Sequence, residues 1–545
     1  TWLKEWDSSE KGYSPQVTAS QVLAKISQRH AGDRAVTCDK NHLTYEQLAQ
    51  RASRVARILR AHDRKGAASV GVLMDSGDML LSVILGIWNC RSNYVPIVKD
   101  LPSARVNHII EECDIQVLVT TNEELDVSVG RKLTRISLSA EDLEKGELLQ
   151  ETPAYDPSDV AYTIFTSGST GKPKGVPIRH SSLVDRIMYH IDYLKLDNAV
   201  KFLQLASLGF DASIAEMLMP ILNGGTLVIP TPEEKRNIPL VVDLIQKEAV
   251  TAAIFSPSFM NLLQGHNIDS IELIISTGEA ASIKQAIYYS QNKRFYNGYG
   301  PTESCFGAPF YQVESGTDEG NFTETAIPIG KPFANTKVYI LNQHHQLSGL
   351  GSWGEIAISG VGLSEGYLNN DDLNDSKFMA NPFSSDPMFD RIYLTGDIGR
   401  WNKDGQLEYA GRFDDQVQIH GVRVEPAEVE QVAKQIAGVK DAVVLAEELE
   451  NNSKRLVAYV LSPSKVDTEI IRMAFHKELP FHMIPTRVVV LDAFPITVNG
   501  KVDKEQLIQI KEGETVATDA PVTAIEQQDR KSTRLNFSHQ IISYA

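Results

Sequence analysis

Apolar residues recur at helical spacing from position 45 onward. Tyr45, Leu48, Ala49, Ala52, Val55, Ala56 and Leu59 fall every three or four positions, which predicts a helix with one face on a core. The preceding Thr44-Tyr-Glu-Gln47 reads as a capping box, in which the threonine hydroxyl accepts from a backbone N–H and the glutamine reaches back. Short apolar runs then alternate with helical stretches, at 69–74, 117–120, 226–229, 252–255 and 271–275. Runs rich in β-branched residues and separated by helices predict strands buried in mostly parallel sheets. Residues 1–411 therefore read as one large α/β unit of more than one layered sheet.

The pattern changes after Gly411. Residues 416–419 and 422–424 predict a hairpin around Gly421. A helix (426–436), strands (442–446 and 456–461), a second helix (467–478) and a last strand (487–491) follow, a compact α+β module over 412–510. Residues 511–528 are polar and without period, as in a linker. Residues 529–545 break abruptly in character and read as a non-native tail, outside any fold argument. The first residue is Thr1, not Met, so the expectation is a piece of a longer protein.

Composition narrows the function. Of 545 residues, 42% are hydrophobic and 23% charged, with a net charge of -17. That acidity excludes a general nucleic-acid binder, which needs a basic face, but leaves room for one local nucleotide site. The four cysteines, Cys38, Cys90, Cys113 and Cys305, have neither zinc spacing nor the density of a disulfide framework. They are expected to be buried small hydrophobes. No signal peptide and no apolar run long enough to span a bilayer is present, so no membrane partner and a cytosolic compartment are expected.

The chemistry concentrates at Thr163-Ile-Phe-Thr-Ser-Gly-Ser-Thr-Gly-Lys-Pro-Lys-Gly-Val176. A hydrophobic strand, 160–165, runs into a turn of hydroxyls and glycines that ends in two lysines. Glycines let backbone N–H groups turn toward an anion, hydroxyls add donors and lysines add charge. This is a phosphate-binding composition, but not the common P-loop: Gly168 and Gly171 are too close, and Pro173 follows Lys172 where Ser or Thr is required.

TSGSTGKPKG resembles the signature loop of the adenylate-forming superfamily, which includes acyl-CoA synthetases, luciferases and nonribosomal peptide synthetase adenylation domains. Further motifs of that superfamily follow in order: LTYEQL at 43–48, FDASIAEM at 210–217, NGYGPTES at 297–304, GEIAISGVGLSEGYL at 354–368 and YLTGDIG at 393–399. GRFDDQVQIHGVRVEPAEVE occupies 411–430, LPFHMIP 479–485 and NGKVDK 499–504. The resemblance covers nearly all of 1–510. It implies the adenylate-forming enzyme fold: a large multi-sheet α/β N-terminal domain and a small mobile α+β C-terminal domain, hinged near Asp414.

The resemblance also implies roles. ATP would be gripped by Thr166, Ser167, Gly168, Ser169, Thr170, Gly171 and Lys174. Tyr299, Gly300 and Thr302 would lie along the nucleotide, with Tyr299 stacking on adenine. Asp397 would anchor the ribose, and Arg412 the ribose or phosphate. Glu303 would hold Mg²⁺. Lys501 would be the catalytic residue, bridging the substrate carboxylate and the nucleotide, two anions that repel each other. Gly421 would line the tunnel for a phosphopantetheine arm. Two orientations of the small domain follow, one presenting Lys501 and one the 418–423 turn.

In amino-acid-activating members an aspartate in the Phe210-Asp-Ala position pairs with the α-ammonium, and Asp211 matches it. An apolar fatty-acid site has no reason to bury a lone carboxylate. The remaining positions carried over are Phe210, Ala212, Ala215, Ile254, Ile275, Thr277, Gly298, Phe306 and Gly307. Small residues at 215, 298 and 307 and an apolar lining point to a bulky, uncharged side chain. The sequence from Trp6 to Tyr13 resembles the linker before such domains in multimodular synthetases, and 519–526 the lead-in to a carrier domain. The expected partners are an amino acid and a peptidyl carrier domain in the same parent chain. A free-standing acid–thiol ligase, such as a D-alanine–carrier ligase or an acyl-CoA synthetase, is the second reading, and a degenerate nucleotide-binding scaffold the third. Three departures from the family pattern stand out: Leu394 for arginine, Ser364-Glu365-Gly366 for Ala-Arg-Gly, and Trp88-Asn-Cys-Arg-Ser-Asn-Tyr94 before Val-Pro.

Overall fold

The computed structural model describes residues 16–62, 68–121, 133–150, 154–168, 171–322, 327–419, 421–449, 454–464, 466–497 and 502–510. The expected linkers at 6–13 and 511–528 and the tail at 529–545 lie outside them. So do Ser169, Thr170 and Lys501.

Two mostly parallel sheets dominate the large unit, as the buried β-branched runs predict. A nine-stranded sheet has at its centre the parallel strands Arg34–Cys38, Thr226–Ile229, Lys201–Leu203, Ala252–Phe255, Leu273–Ser276 and Arg294–Gly298. The run expected at 271–275 is displaced by about one turn residue because Ile268 and Ile271 close a turn before the strand starts. A six-stranded sheet runs Thr134–Ser137, Val117–Thr120, Ser69–Leu73, Asn93–Pro96, Val160–Thr166 and Lys174–Arg179; only its last pair is antiparallel. The helices Tyr45–His62, Asp78–Trp88, His180–Tyr193 and Asp211–Ile221 contribute, with strands of both sheets, to one apolar core. Asp78–Trp88 is buried from Leu80 to Trp88, so it is apolar all round. Gly86 lets it touch Tyr45–His62, since a Cβ there would stand 2.6 Å from Val55. The capping box is present: Gln47 N donates to Thr44 Oγ1 at 3.2 Å, and Thr44 N to Gln47 Oε1 at 2.9 Å.

The third sheet was not foreseen. Thr336–Leu341, Gly354–Gly360, Arg391–Trp401, Phe378–Ala380 and Leu407–Arg412 form an antiparallel sheet. Arg412 still pairs with Asp397 in it. The small unit follows: the hairpin Val417–Ile419 with Val422–Val424, a three-stranded sheet (Asp441–Glu448, Lys454–Leu461, Arg487–Leu491) and the helices Pro426–Lys434 and Thr468–Glu478 over their own core. It packs on the large unit through a near-buried ion pair, Arg105 Nη1 to Glu428 Oε1 at 2.7 Å. Among the described residues no helix is long and apolar enough to cross a membrane.

Candidate active site

The expected phosphate loop joins the two strands of the edge hairpin of the six-stranded sheet. Val160–Thr166 and Lys174–Arg179 pair antiparallel, so the intervening turn projects from the sheet end. Pro173 thus precedes a strand rather than a helix, in keeping with a loop that is not a P-loop. Thr166 Oγ1 is buried without a hydrogen-bond partner. Ser167 Oγ donates to the carbonyl of Arg423, in the small unit, at 3.0 Å. Gly168 N–H faces the Glu428 carboxylate, and Gly171 lies against the side chain of Gln431.

This loop opens onto a cavity of about 330 Å³ between the two units, within the range of small-molecule sites. Thr166, Ser167, Tyr299, Gly300, Thr302, Asp397 and Arg412 line it, as expected of a nucleotide site. Phe210, Asp211, Ala212, Ala215, Ile254, Ile275, Thr277, Gly298 and Phe306 line it as well. Gly307 stands behind this wall, against Phe333 and His190. Thr166 and Arg412, 246 sequence positions apart, thus meet in one chamber, to which the parallel strands also deliver their following loops.

Lys174 and Glu303 lie beside the cavity, closed over by the small unit. Glu303 sits in the turn Thr302–Ser304 and is fully buried. Its Oε1 accepts from Tyr367 Oη at 2.7 Å, and Lys174 Nζ stands 3.5 Å away. Its Oε2 accepts from Arg423 Nη1 at 3.0 Å. Burial pushes this carboxyl up, but Arg423 and Lys174 outweigh it and hold it well below the usual carboxylate range. Burial conversely lowers the Lys174 ammonium to about 8, with Glu303 opposing. Among the described residues no group of three or more His, Cys, Asp and Glu side chains could hold a metal. A cation at Glu303 would therefore rest on one carboxylate and on oxygens brought by a phosphate tail, a ligand set that suits magnesium.

Asp397 accepts from Tyr299 Oη and from Arg412. Burial pushes its carboxyl up, with Arg412 opposing. The Tyr299 ring is tilted against Tyr409, centroids 6.0 Å apart. Arg412 also holds Asp414, Nε to Oδ1 at 2.6 Å, which ties the expected hinge to the expected ribose anchor, Asp397. Asp211 caps the pocket. It receives the Thr302 hydroxyl and the backbone N–H groups of Ala212 and Phe306, yet Oδ2 is buried without a partner. Burial pushes the carboxyl up to about 6, only partly offset by those donors.

Gly421 adopts φ +79, and its N–H donates to Glu279 Oε1 at 2.7 Å. Its Cα lies 3.2 Å from where a Cβ on Gly278 would stand. This orientation therefore presents the hairpin turn to the cavity. The departures from the family pattern have local partners. Arg91 pairs with Asp159, Nε to Oδ2 at 2.6 Å, Glu365 with Arg179, and Leu394 is buried among Tyr339, Leu341 and Ile392. Sequence reasoning missed His190, Glu216, Met219 and Phe310 as lining residues. Met219 was within reach, four residues after Ala215 on one helix face. Nothing local marks His190, which comes from a different helix.

A sequence profile described as AMP-binding enzyme matches residues 23–368, and one described as AMP-binding enzyme C-terminal domain matches 428–501. The chain is 32% identical over 536 residues to tyrocidine synthase 3 of Brevibacillus parabrevis, covering 97% of this chain and 8% of that protein. It is 34% identical over 482 residues to surfactin synthase subunit 3 of Bacillus subtilis, covering 87% of this chain and 37% of that protein. Its fold matches holo-PA1221, described as an NRPS protein containing adenylation and PCP domains, with a TM-score of 0.80 at 24% identity over 91% of this chain and 84% of that one. It also matches holo-AB3403, a four-domain nonribosomal peptide synthetase bound to AMP and glycine, with a TM-score of 0.67 at 29% identity over 94% and 37%.

Proposed function

Because this chain belongs to the AMP-binding enzyme family, we propose that it activates an amino acid with ATP as the aminoacyl-AMP, releasing pyrophosphate, and passes the acyl group to a phosphopantetheine thiol on a carrier domain. The carrying observation is the Asp211 carboxylate, with one oxygen unpartnered at the head of a pocket that continues into the expected phosphate loop. An α-ammonium is the group such an oxygen lacks, and an unpaired buried carboxylate is otherwise costly. Thr166 Oγ1, also orphaned, supplies a donor for the nucleotide. Mg²⁺ at Glu303 would offset charge on the departing pyrophosphate. Lys501 brings the second cation when the small unit turns. The relatives named above support a setting within a larger synthetase, and four free cysteines fit a cytosolic one.

Amino-acid-dependent exchange of pyrophosphate into ATP tests this reading, run across the common amino acids and several fatty acids. Exchange with one or a few amino acids is expected. Exchange with fatty acids alone would overturn it in favour of an acyl-CoA synthetase-like ligase. Lys501→Ala is expected to abolish most exchange yet spare thioester formation from supplied aminoacyl-AMP.

A further inference from the structure

The pocket that begins at Asp211 ends at a side chain with an unused acceptor. Ala212, Ala215 and Met219 descend one face of Asp211–Ile221 into the cavity. Met219 lies about 12 Å along the axis from Asp211, at 1.5 Å per residue. His190, from the helix His180–Tyr193, joins the same wall. It is only 2% exposed. Its ring meets Phe310 edge-on, with centroids 5.0 Å apart at 79°, and is tilted to Phe306 at 5.6 Å.

His190 Nδ1 stands 2.6 Å from the carbonyl oxygen of Arg186. A carbonyl only accepts, so Nδ1 carries the hydrogen and Nε2 the lone pair. Burial lowers the imidazole to about 4, so the ring stays neutral and keeps that tautomer. Nε2 has no hydrogen-bond partner among the described residues. A buried acceptor left without a donor is costly, and a ligand's donor removes the cost. A neutral imidazole offers a cation no counter-charge, so a neutral donor is the better partner for Nε2. The depth of the pocket and the edges of Phe306 and Phe310 suit a flat ring.

We infer that the site takes an aromatic amino acid whose ring ends in a hydrogen-bond donor, selected by Nε2 of His190. This rests on the proposed function, since it places the α-ammonium at Asp211.

Pyrophosphate–ATP exchange with matched pairs tests it: tyrosine against phenylalanine, and tryptophan against its sulfur isostere without the ring N–H. The donor-bearing member of one pair should be preferred at least about tenfold in kcat/KM, the worth of one buried hydrogen bond. His190→Phe should erase that preference, read as the kcat/KM ratio within the pair. His190→Gln, which keeps an acceptor, should retain it. The comparison of pairs in the unaltered protein stands even if the phenylalanine variant fails to fold. No preference in either pair, or a preference that survives His190→Phe, overturns the inference. Exchange confined to another class of amino acid overturns the inference alone. Absence of exchange with every carboxylic acid overturns the proposed function and the inference with it.

Discussion

Arg423 Nη1 donates to Oε2 of Glu303 at 3.0 Å, placing a cation from the small unit on the carboxylate that would hold the metal. Glu303 is fully buried, so its charge needs a partner in this orientation. Removing one partner of a buried pair costs about 3–5 kcal/mol, and the nearby Lys174 keeps this case toward the lower end. The cost falls on the orientation in which the two residues meet. Arg423→Ala should therefore depress thioester formation from supplied aminoacyl-AMP by about a hundredfold, and exchange by far less. Equal loss in both half-reactions would show that Arg423 acts elsewhere.

Gly421 is constrained twice over. Its φ of +79 is costly for residues with a side chain, and a Cβ would stand 3.3 Å from Cβ of Ser256. Its N–H is held by Glu279. A valine there should strain the turn and narrow the mouth of the cavity. Thioester transfer should fall at least about tenfold, with exchange nearly unchanged, as measured on the two half-reactions separately.

Much of this arrangement was legible before the fold. The parallel sheets follow from buried β-branched runs, and the turn of hydroxyls, glycines and lysines does follow a buried strand. The antiparallel sheet around Arg391–Trp401 was not, because its strands are set by pairing partners rather than by a local period. Asp211 was found by motif, but its orphaned oxygen depends on how Thr302 and Phe306 fold back over it. His190 and Phe310 converge from segments 120 positions apart, and no local pattern encodes that meeting. Closure of Glu303 by Arg423 belongs to the packing of two units and has no signature in either.

Glu216 lines the pocket, with Oε2 accepting from the N–H groups of Leu205 and Ala206 at 3.0 and 2.9 Å. Gln204 links it to Lys235, whose Nζ donates to Gln204 Oε1 at 2.7 Å. Burial pushes the Glu216 carboxyl up, and Lys235 opposes that push. Lys235→Met removes the opposition. A carboxyl raised in the folded state favours folding while protonated, and that contribution is lost as pH rises through its folded value. The variant should lose about 2 kcal/mol near neutral pH and more at pH 9. Denaturant midpoints at pH 6 and pH 9 check this; a loss independent of pH would refute the coupling.

Asp211 should show opposite demands from binding and from stability. Binding needs the carboxylate. With the group pushed up to about 6, kcat/KM for the amino acid should fall about tenfold per pH unit below that point. Asp211→Asn should cost at least about thirtyfold in kcat/KM at pH 7.5, the loss of a desolvated charge partner. Stability has the other sign. The folded protein holds this proton more tightly than the unfolded chain, so the contribution to folding is present below the ordinary carboxylate value and lost as pH rises through about 6. Ligand-free Asp211→Asn should therefore melt above the unaltered protein at pH 8, and the gap should close toward pH 4. A variant that melts lower at pH 8 would mean that the Thr302, Ala212 and Phe306 donors outweigh burial, and Asp211 would then be a turn-stabilising residue rather than one held in wait for an ammonium group.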